Sequence, residues 1–278
     1  MSSDINPDPE TQPEILLMRP HFTSILITGA SSGIGAALAR AYAAPGTHLF
    51  LLGRDPARLD AVAALCRSRN AEVETGLIDI TDRTALARWI EAADERAPLD
   101  LVIANAGISG GSTGLPRGDK VLEADARGRL ILDVNIGGVL DTIGPAATRM
   151  RRRNRGTLAI VSSLASFRGM PGSPAYSASK AAIRVWAEAI RPVLRAEGIE
   201  VSTICPGFVE TPMTARNGFR MPFLMNADQA AARIVAGLAR GSTRIAFPWP
   251  MYAAVRMLAA LPPGLVDRLM ATLPRKPA

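Results

Sequence analysis

Short apolar runs alternate along this chain with longer stretches whose apolar residues recur every three or four positions. The short runs predict strands at 24–28, 48–52, 72–78, 101–104, 158–162, 200–205 and 244–247. Most are unbroken rather than alternating, as strands covered on both faces require. The longer stretches predict helices at 33–43, 56–70, 83–96, 120–153, 175–196 and 227–240. Strict alternation of strand and helix predicts an α/β fold, a doubly wound, Rossmann-like parallel sheet of about seven strands with helices on both faces. There is no internal repeat, and no Gly- or Ser-rich linker divides the chain after residue 20. The expected organisation is a leader over 1–20, a nucleotide-binding catalytic domain over 21–248, and an apolar, basic, helical extension over 249–278.

Composition narrows the setting. At 278 residues, 48% hydrophobic and 21% charged, the chain suits one large domain. Asp4, Asp8, Glu10 and Glu14 alternate with Pro7, Pro9 and Pro13, which reads as a flexible leader and not as a signal peptide. Cys66 and Cys205 form neither a disulfide framework nor a zinc spacing, so a reducing cytoplasm is expected. With only His21 and His48, a histidine-based metal site is not expected. Arg256, Asp267, Pro262 and Pro263 interrupt the apolar C-terminal stretch, which therefore does not suit a membrane span. The net charge of +7 comes largely from dispersed arginines. The single cluster, Arg151-Arg152-Arg153-Asn154-Arg155, fits a helix C-terminus better than a nucleic-acid surface. An anionic substrate or cofactor is a better match for the positive field.

Two places carry chemistry. Tyr176 and Lys180 are four residues apart, which puts them on one face of a helix, and Ser163 precedes the tyrosine by thirteen. A tyrosine normally titrates near pH ~10. An ammonium ~4 Å away in a medium of dielectric ~20 is worth about 4 kcal/mol, which could lower that pKa by roughly three. The expected result is a phenol able to exchange protons near neutrality. The second place follows the first strand: Thr28-Gly29-Ala30-Ser31-Ser32-Gly33-Ile34-Gly35, spaced G-x-x-x-G-x-G. Glycines there permit a tight turn, and free N–H groups at the next helix start can hold a pyrophosphate.

These motifs, in this order, resemble the short-chain dehydrogenase/reductase family in its single-domain TGxxxGxG and YxxxK form. The resemblance covers about residues 22–247 and also rests on Asp79, Asn105-Ala106-Gly107, Asn135, Ser162-Ser163 and Pro206-Gly207 followed by Thr211. It implies Tyr176 as general acid, Lys180 as the residue that tunes it and holds the nicotinamide ribose, and Ser163 as a donor to the substrate oxygen. Asn135 matches the asparagine that holds a water in the proton relay, with a purely structural role as the alternative. Gly29, Ser31, Ser32, Gly33 and Ile34 would surround the pyrophosphate. Asp79 and Ile80 would border the adenine, Asn105, Ala106 and Gly107 the cofactor's middle, and Pro206, Gly207, Val209 and Thr211 the nicotinamide. Ala104 stands where many members carry a second asparagine.

Cofactor preference is read at the end of the second strand, Leu52-Gly53-Arg54-Asp55. Gly53 stands where NAD-preferring relatives place an aspartate, and the Arg54 guanidinium suits a 2′-phosphate, so NADP(H) is expected over NAD. Asp55 leaves a competing possibility, by neutralising Arg54 or capping the ribose itself. The expected reaction is reduction of a carbonyl, or oxidation of the matching secondary alcohol. Met213, Met221, Phe223 and Met225 in the lid segment after Thr211, with Phe167 and Met170, favour a hydrophobic substrate. Arg216 and Arg220 could meet an acidic group on it. A nucleotide-sensing protein without turnover and a non-redox isomerase stay open as alternatives. A homo-dimer or homo-tetramer through the two long helices is expected. The extension, with Trp249, Tyr252, Val255, Leu258, Leu261, Leu265, Leu269 and Leu273, could pack on the domain, on a subunit or on a membrane surface.

Overall fold

A computed structural model describes residues 22–110, 126–170, 172–217 and 220–271. The expected leader, the start of the helix expected from 120, and the last seven residues lie outside them.

Seven strands form one parallel sheet: β1 (Ser24–Thr28), β2 (His48–Gly53), β3 (Glu72–Leu77), β4 (Leu101–Ala104), β5 (Gly156–Val161), β6 (Ile199–Pro206) and β7 (Arg244–Phe247). Their order is β3-β2-β1-β4-β5-β6-β7. The winding reverses between β1 and β4, and loops leaving neighbouring strand ends in opposite directions open a crevice there.

Side chains alternate across each strand, so the unbroken apolar runs feed two cores. Ile25, Ile27, Leu49, Leu51 and Ile103 pack on α1 (Gly33–Tyr42), α2 (Pro56–Arg67) and α7 (Ala227–Ala239). Leu26, Phe50, Val102, Leu158 and Ile160 pack on the other face against α3 (Arg83–Arg96), α5 (Gly138–Arg152) and α6 (Pro174–Ala196).

The long helix expected over 120–153 runs continuously from Ala126 to Arg152 among the described residues. It resolves into α4 (Ala126–Leu132), a π-helical turn (Asp133–Gly137) and α5. Gly138 lets the helix come close to the loop after β3, since a Cβ there would lie 2.3 Å from Cδ1 of Ile80. Thus α5 meets the loop after β3 at a distance only glycine allows. Ala126–Arg152 is also long and apolar enough to cross a membrane by length and composition alone, and half of its most apolar stretch is buried inside the domain.

The basic run at 151–155 has partners within the fold. Arg151 pairs with Glu197, Arg153 with Asp94 and Arg155 with Asp100. Beyond β7, α8 (Trp249–Ala260) and α9 (Pro263–Ala271) lie on the domain. Val255 is buried with Leu164 and Cys205, beside Phe167, Met170, Met251 and Tyr252.

Candidate active site

A cleft of about 760 Å³ opens at the C-terminal ends of the strands, over the reversal between β1 and β4. Gly29, Ser31, Ser32, Gly33, Ile34, Arg54, Asp79, Ile80, Asn105, Ala106, Gly107, Ser163, Tyr176, Lys180, Pro206, Gly207, Val209 and Thr211 all line it. Of the expected catalytic and cofactor residues only Asn135 does not; of the residues expected on the substrate side Met213 lines the cleft, and Phe167, Met170, Arg216, Arg220, Met221, Phe223 and Met225 do not.

Its floor is the glycine turn. Gly29 has φ +67°, and a Cβ there would stand 2.8 Å from Cα of Ala106. Gly33 has φ +54°, with Thr211 Cγ2 at 2.8 Å from the same hypothetical atom. The turn is therefore clasped between the loop after β4 and the loop after β6, and a side chain at either glycine would force them apart. The asparagine beside it serves the turn: Asn105 Nδ2 donates to the carbonyls of Thr28 and Gly29 at 2.9 and 3.2 Å. Thr28 Oγ1 accepts from the backbone N–H groups of Asn105 and Ala106, both at 3.1 Å.

Ser163 ends the loop after β5 and caps a single 3₁₀ turn, Leu164–Ser166, accepting from the Ala165 N–H at 3.1 Å. Tyr176 stands in the first turn of α6 and lines the cleft with Ser163, whose hydroxyl donates to the Pro206 carbonyl at 3.5 Å. Lys180 follows one turn later, buried, its Nζ donating to the Val161 carbonyl at 2.9 Å and lying 5.9 Å from the Tyr176 ring centre. Ser162 Oγ donates to the Lys180 carbonyl at 2.8 Å, so the end of β5 is fastened to α6 from both directions.

The electrostatics differ from the expectation. Burial outweighs any effect of Lys180 on the phenol in this structure: it pushes the Tyr176 pKa up, with the Ser163 hydroxyl pulling against it. Burial also draws Lys180 down to about 8, with Cys205 opposing. The ammonium faces a backbone carbonyl in a site that disfavours both charged forms, so the simple Coulomb argument from spacing does not hold there.

Asn135 is the other change. It is buried in the π-helical turn, where Oδ1 accepts from the Ile108 N–H at 2.8 Å. Nδ2 donates to the Ile108 carbonyl and to Ser179 Oγ, both at 2.9 Å. Ser179 Oγ in turn donates to the Tyr176 carbonyl at 2.8 Å. Both amide protons thus brace protein groups, and the side chain ties the loop after β4 to the helix that carries the tyrosine. The structural alternative fits this geometry.

At the other end of the cleft, Arg54 Nη1 lies 3.1 Å from Asp79 Oδ2. Asp79 also accepts from Thr81 N–H and Thr81 Oγ1 at 3.0 and 2.8 Å, and its pKa falls below the usual carboxylate value as these bonds outweigh desolvation. Asp55 does not neutralise Arg54. It caps α2, accepting from Arg58 N–H at 3.0 Å and Arg58 Nε at 2.7 Å. Arg58, missed in the sequence reading, brings a second guanidinium to the cleft wall. The signal was there: an Asp-Pro cap puts the third following residue in the first helical turn. Thr214 was missed as well; it donates to the Val209 carbonyl at 2.6 Å and accepts from Thr211 N–H at 2.9 Å, bracing the loop over the glycine turn.

Comparison with known proteins agrees with this arrangement. The sequence profile of the short chain dehydrogenase family matches residues 23–220. The chain belongs to the short-chain dehydrogenase family. It is an oxidoreductase of that family, 40% identical over 247 residues to an uncharacterized oxidoreductase of Myxococcus xanthus, a match spanning 88% of this chain and 95% of the relative. A short-chain dehydrogenase from Sphingobium yanoikuyae, solved in complex with NADPH, superposes with a TM-score of 0.74 at 28% identity, covering 91% of this chain and 97% of that one. A short chain dehydrogenase/reductase from Burkholderia phymatum, solved with NAD, gives the same TM-score at 24% identity and shares the fold, with 91% and 96% covered.

Proposed function

We propose that this short-chain dehydrogenase is an NADP(H)-dependent carbonyl reductase, or catalyses the reverse oxidation of a secondary alcohol, on a hydrophobic substrate. The observation that carries the reading is the convergence of Ser163, Tyr176 and buried Lys180 on one wall of the cleft at the strand reversal.

The cleft fits a dinucleotide. Its glycine turn leaves no room for side chains, so backbone N–H groups can approach a pyrophosphate closely. Arg54 would meet the 2′-phosphate, Asp79 with Ile80 the adenine, and Thr211 with Val209 the nicotinamide side. When bound, the nicotinamide supplies or accepts a hydride at the substrate carbon. The chain's own work is the proton and the charge. Tyr176 donates its hydroxyl proton to the carbonyl oxygen, and Ser163 hydrogen-bonds the same oxygen as negative charge develops. Lys180 positions the ribose and, when charged, favours the phenolate left after donation. Asn135 acts through Ile108 and Ser179, holding the loop and the helix that must converge on the substrate.

Three observations favour NADP(H). A Cβ at position 53 would meet Ser31 Cβ at 3.1 Å, which discourages an acidic side chain there. Asp55 is engaged with Arg58, and Arg54 points along the cleft wall. Met213 of the lid lines the cleft together with Ile108 and Val209, in keeping with a hydrophobic substrate, whereas Phe167 and Met170 pack with Leu164 and Met251 under α8 and do not line it. Association through α5 and α6 is supported by exposed Leu140, Val185 and Val193. Free, buried Cys66 and Cys205 are in keeping with a cytoplasmic setting. The domain plan extends the reading: a catalytic unit over 21–248 and an extension over 249–278.

Turnover of a panel of ketones and secondary alcohols, followed at the reduced-nicotinamide absorbance with each cofactor, tests the reading. A kcat/KM that favours NADPH is expected. A clear NADH preference would refute the cofactor assignment, and product without absorbance change would refute the redox reaction.

A further inference from the structure

We propose that α8, α9 and the lid loop form a docking surface for an anionic lipid bilayer. The first support is the distribution of charge. Residues 211–278 contain nine arginines and lysines against only Asp228 and Asp267; three of the nine, Arg233, Arg240 and Arg244, belong to α7, its end and β7, and Glu210 lies at the root of the lid. The preceding 210 residues are electrically balanced. Arg216, Arg220, Arg256 and Arg268 are exposed on the lid and the two terminal helices, while Asp267 faces Arg168 at 3.9 Å.

The second support is apolar. α8 places Val255 inward against Leu164 and Cys205, yet its other faces are apolar too, with Trp249 68% and Met257 72% exposed. Apart from Arg256 the exposed positions of α8 are apolar, and exposed apolar side chains gathered on one element mark an interaction surface. Leu265 on α9 and Leu224 on the lid are exposed as well. Phe223 is 58% exposed and held at φ +56°, a strained conformation for a bulky residue.

The third support is placement. The lid follows β6 and α8 follows β7, neighbouring strands in the sheet, so both leave the same edge. Met251 of α8 reaches Gly207 at the root of the lid loop: a Cβ on that glycine would be 2.9 Å from its sulfur. Apolar rings and cations together at one edge match the interfacial zone of a membrane whose headgroups are negative. A second copy of this chain, carrying the same positive charge on the same surface, is the poorer occupant.

The test is co-sedimentation of the full chain with vesicles of phosphatidylcholine alone and of phosphatidylcholine with one quarter phosphatidylglycerol. Binding to the anionic vesicles is expected at least about ten-fold tighter, weakening as salt rises. The Trp249→Ser/Met257→Ser variant should lose about ten-fold in affinity, and Arg268→Glu, which spares the apolar face, should lose several-fold. Thermal midpoints and circular dichroism confirm that each variant is folded. Equal binding to both vesicles, no binding, or variants that bind like the parent would overturn the proposal. So would a native mass that halves in the Trp249/Met257 variant, since a second copy would then be the occupant. None of these measurements depends on turnover or on the cofactor.

Discussion

Arg54 and Asp79 hold each other across one end of the cleft, guanidinium to carboxylate at 3.1 Å, with both side chains open to solvent. The pair joins the end of β2 to the loop after β3. An exposed pair of this kind contributes little to stability, so Arg54 is free to exchange a carboxylate for a phosphate.

Arg54→Gln is therefore expected to act on one cofactor only. Loss of a charge-assisted hydrogen bond costs about 1.5–3 kcal/mol, so kcat/KM for NADPH should fall roughly ten- to hundred-fold while that for NADH changes about two-fold or less. Steady-state kinetics with both cofactors decides it; equal losses would show that Arg54 does not read the 2′-phosphate.

Tyr176→Phe removes the phenolic hydroxyl from the cleft wall and keeps the ring. Turnover should drop by about a hundred- to ten-thousand-fold, the usual scale of a lost general acid. Cofactor affinity, measured by fluorescence titration, should stay nearly unchanged. Substantial residual turnover would leave the mechanism without its proton donor.

Lys180 predicts a pH-dependent stability. Its folded pKa, drawn down by burial to about 8, lies below the unfolded value of 10.5. Between those two pH values the unfolded chain binds more protons, so stability of the cofactor-free protein should rise with pH through this window. Below about pH 8 the penalty for burying the ammonium is complete, at most about 3 kcal/mol. Lys180→Met should thus unfold at higher urea than the parent at pH 7, with the gap narrowing towards pH 10. An unchanged gap across that range would show that the lysine is not desolvated as the geometry suggests.

Asn135→Ala strands the Ile108 N–H and carbonyl and the Ser179 hydroxyl. An unsatisfied buried group costs about 1–3 kcal/mol, so a loss of about 3 kcal/mol is expected from urea unfolding, with kcat falling as the loop and helix separate. A variant of parental stability would mean that Asn135 is not the brace it appears in the hydrogen-bond pattern.

Most of the fold was legible in the chain because both signals it depends on are local. Unbroken apolar runs such as 24–28 and 48–52 announce strands covered on both faces, and β-α alternation leaves a parallel sheet as the natural assembly. The cleft residues were legible for a related reason. They sit at strand ends and helix starts, positions that the alternation itself locates, so all the expected catalytic and cofactor residues but Asn135 line the cleft.

What the sequence by itself determined is the set of elements, the glycine turn and the Ser163, Tyr176 and Lys180 side chains at the ends of β5 and α6. Only the tertiary structure decided what those side chains meet. Spacing puts Lys180 beside Tyr176, but burial and the Val161 carbonyl set its charge balance. The amide of Asn135 turned into the protein and the Arg54–Asp79 pair rest on contacts between residues far apart in the chain. Desolvation and hydrogen bonding depend on which distant groups fold around an atom, and no local pattern carries that information.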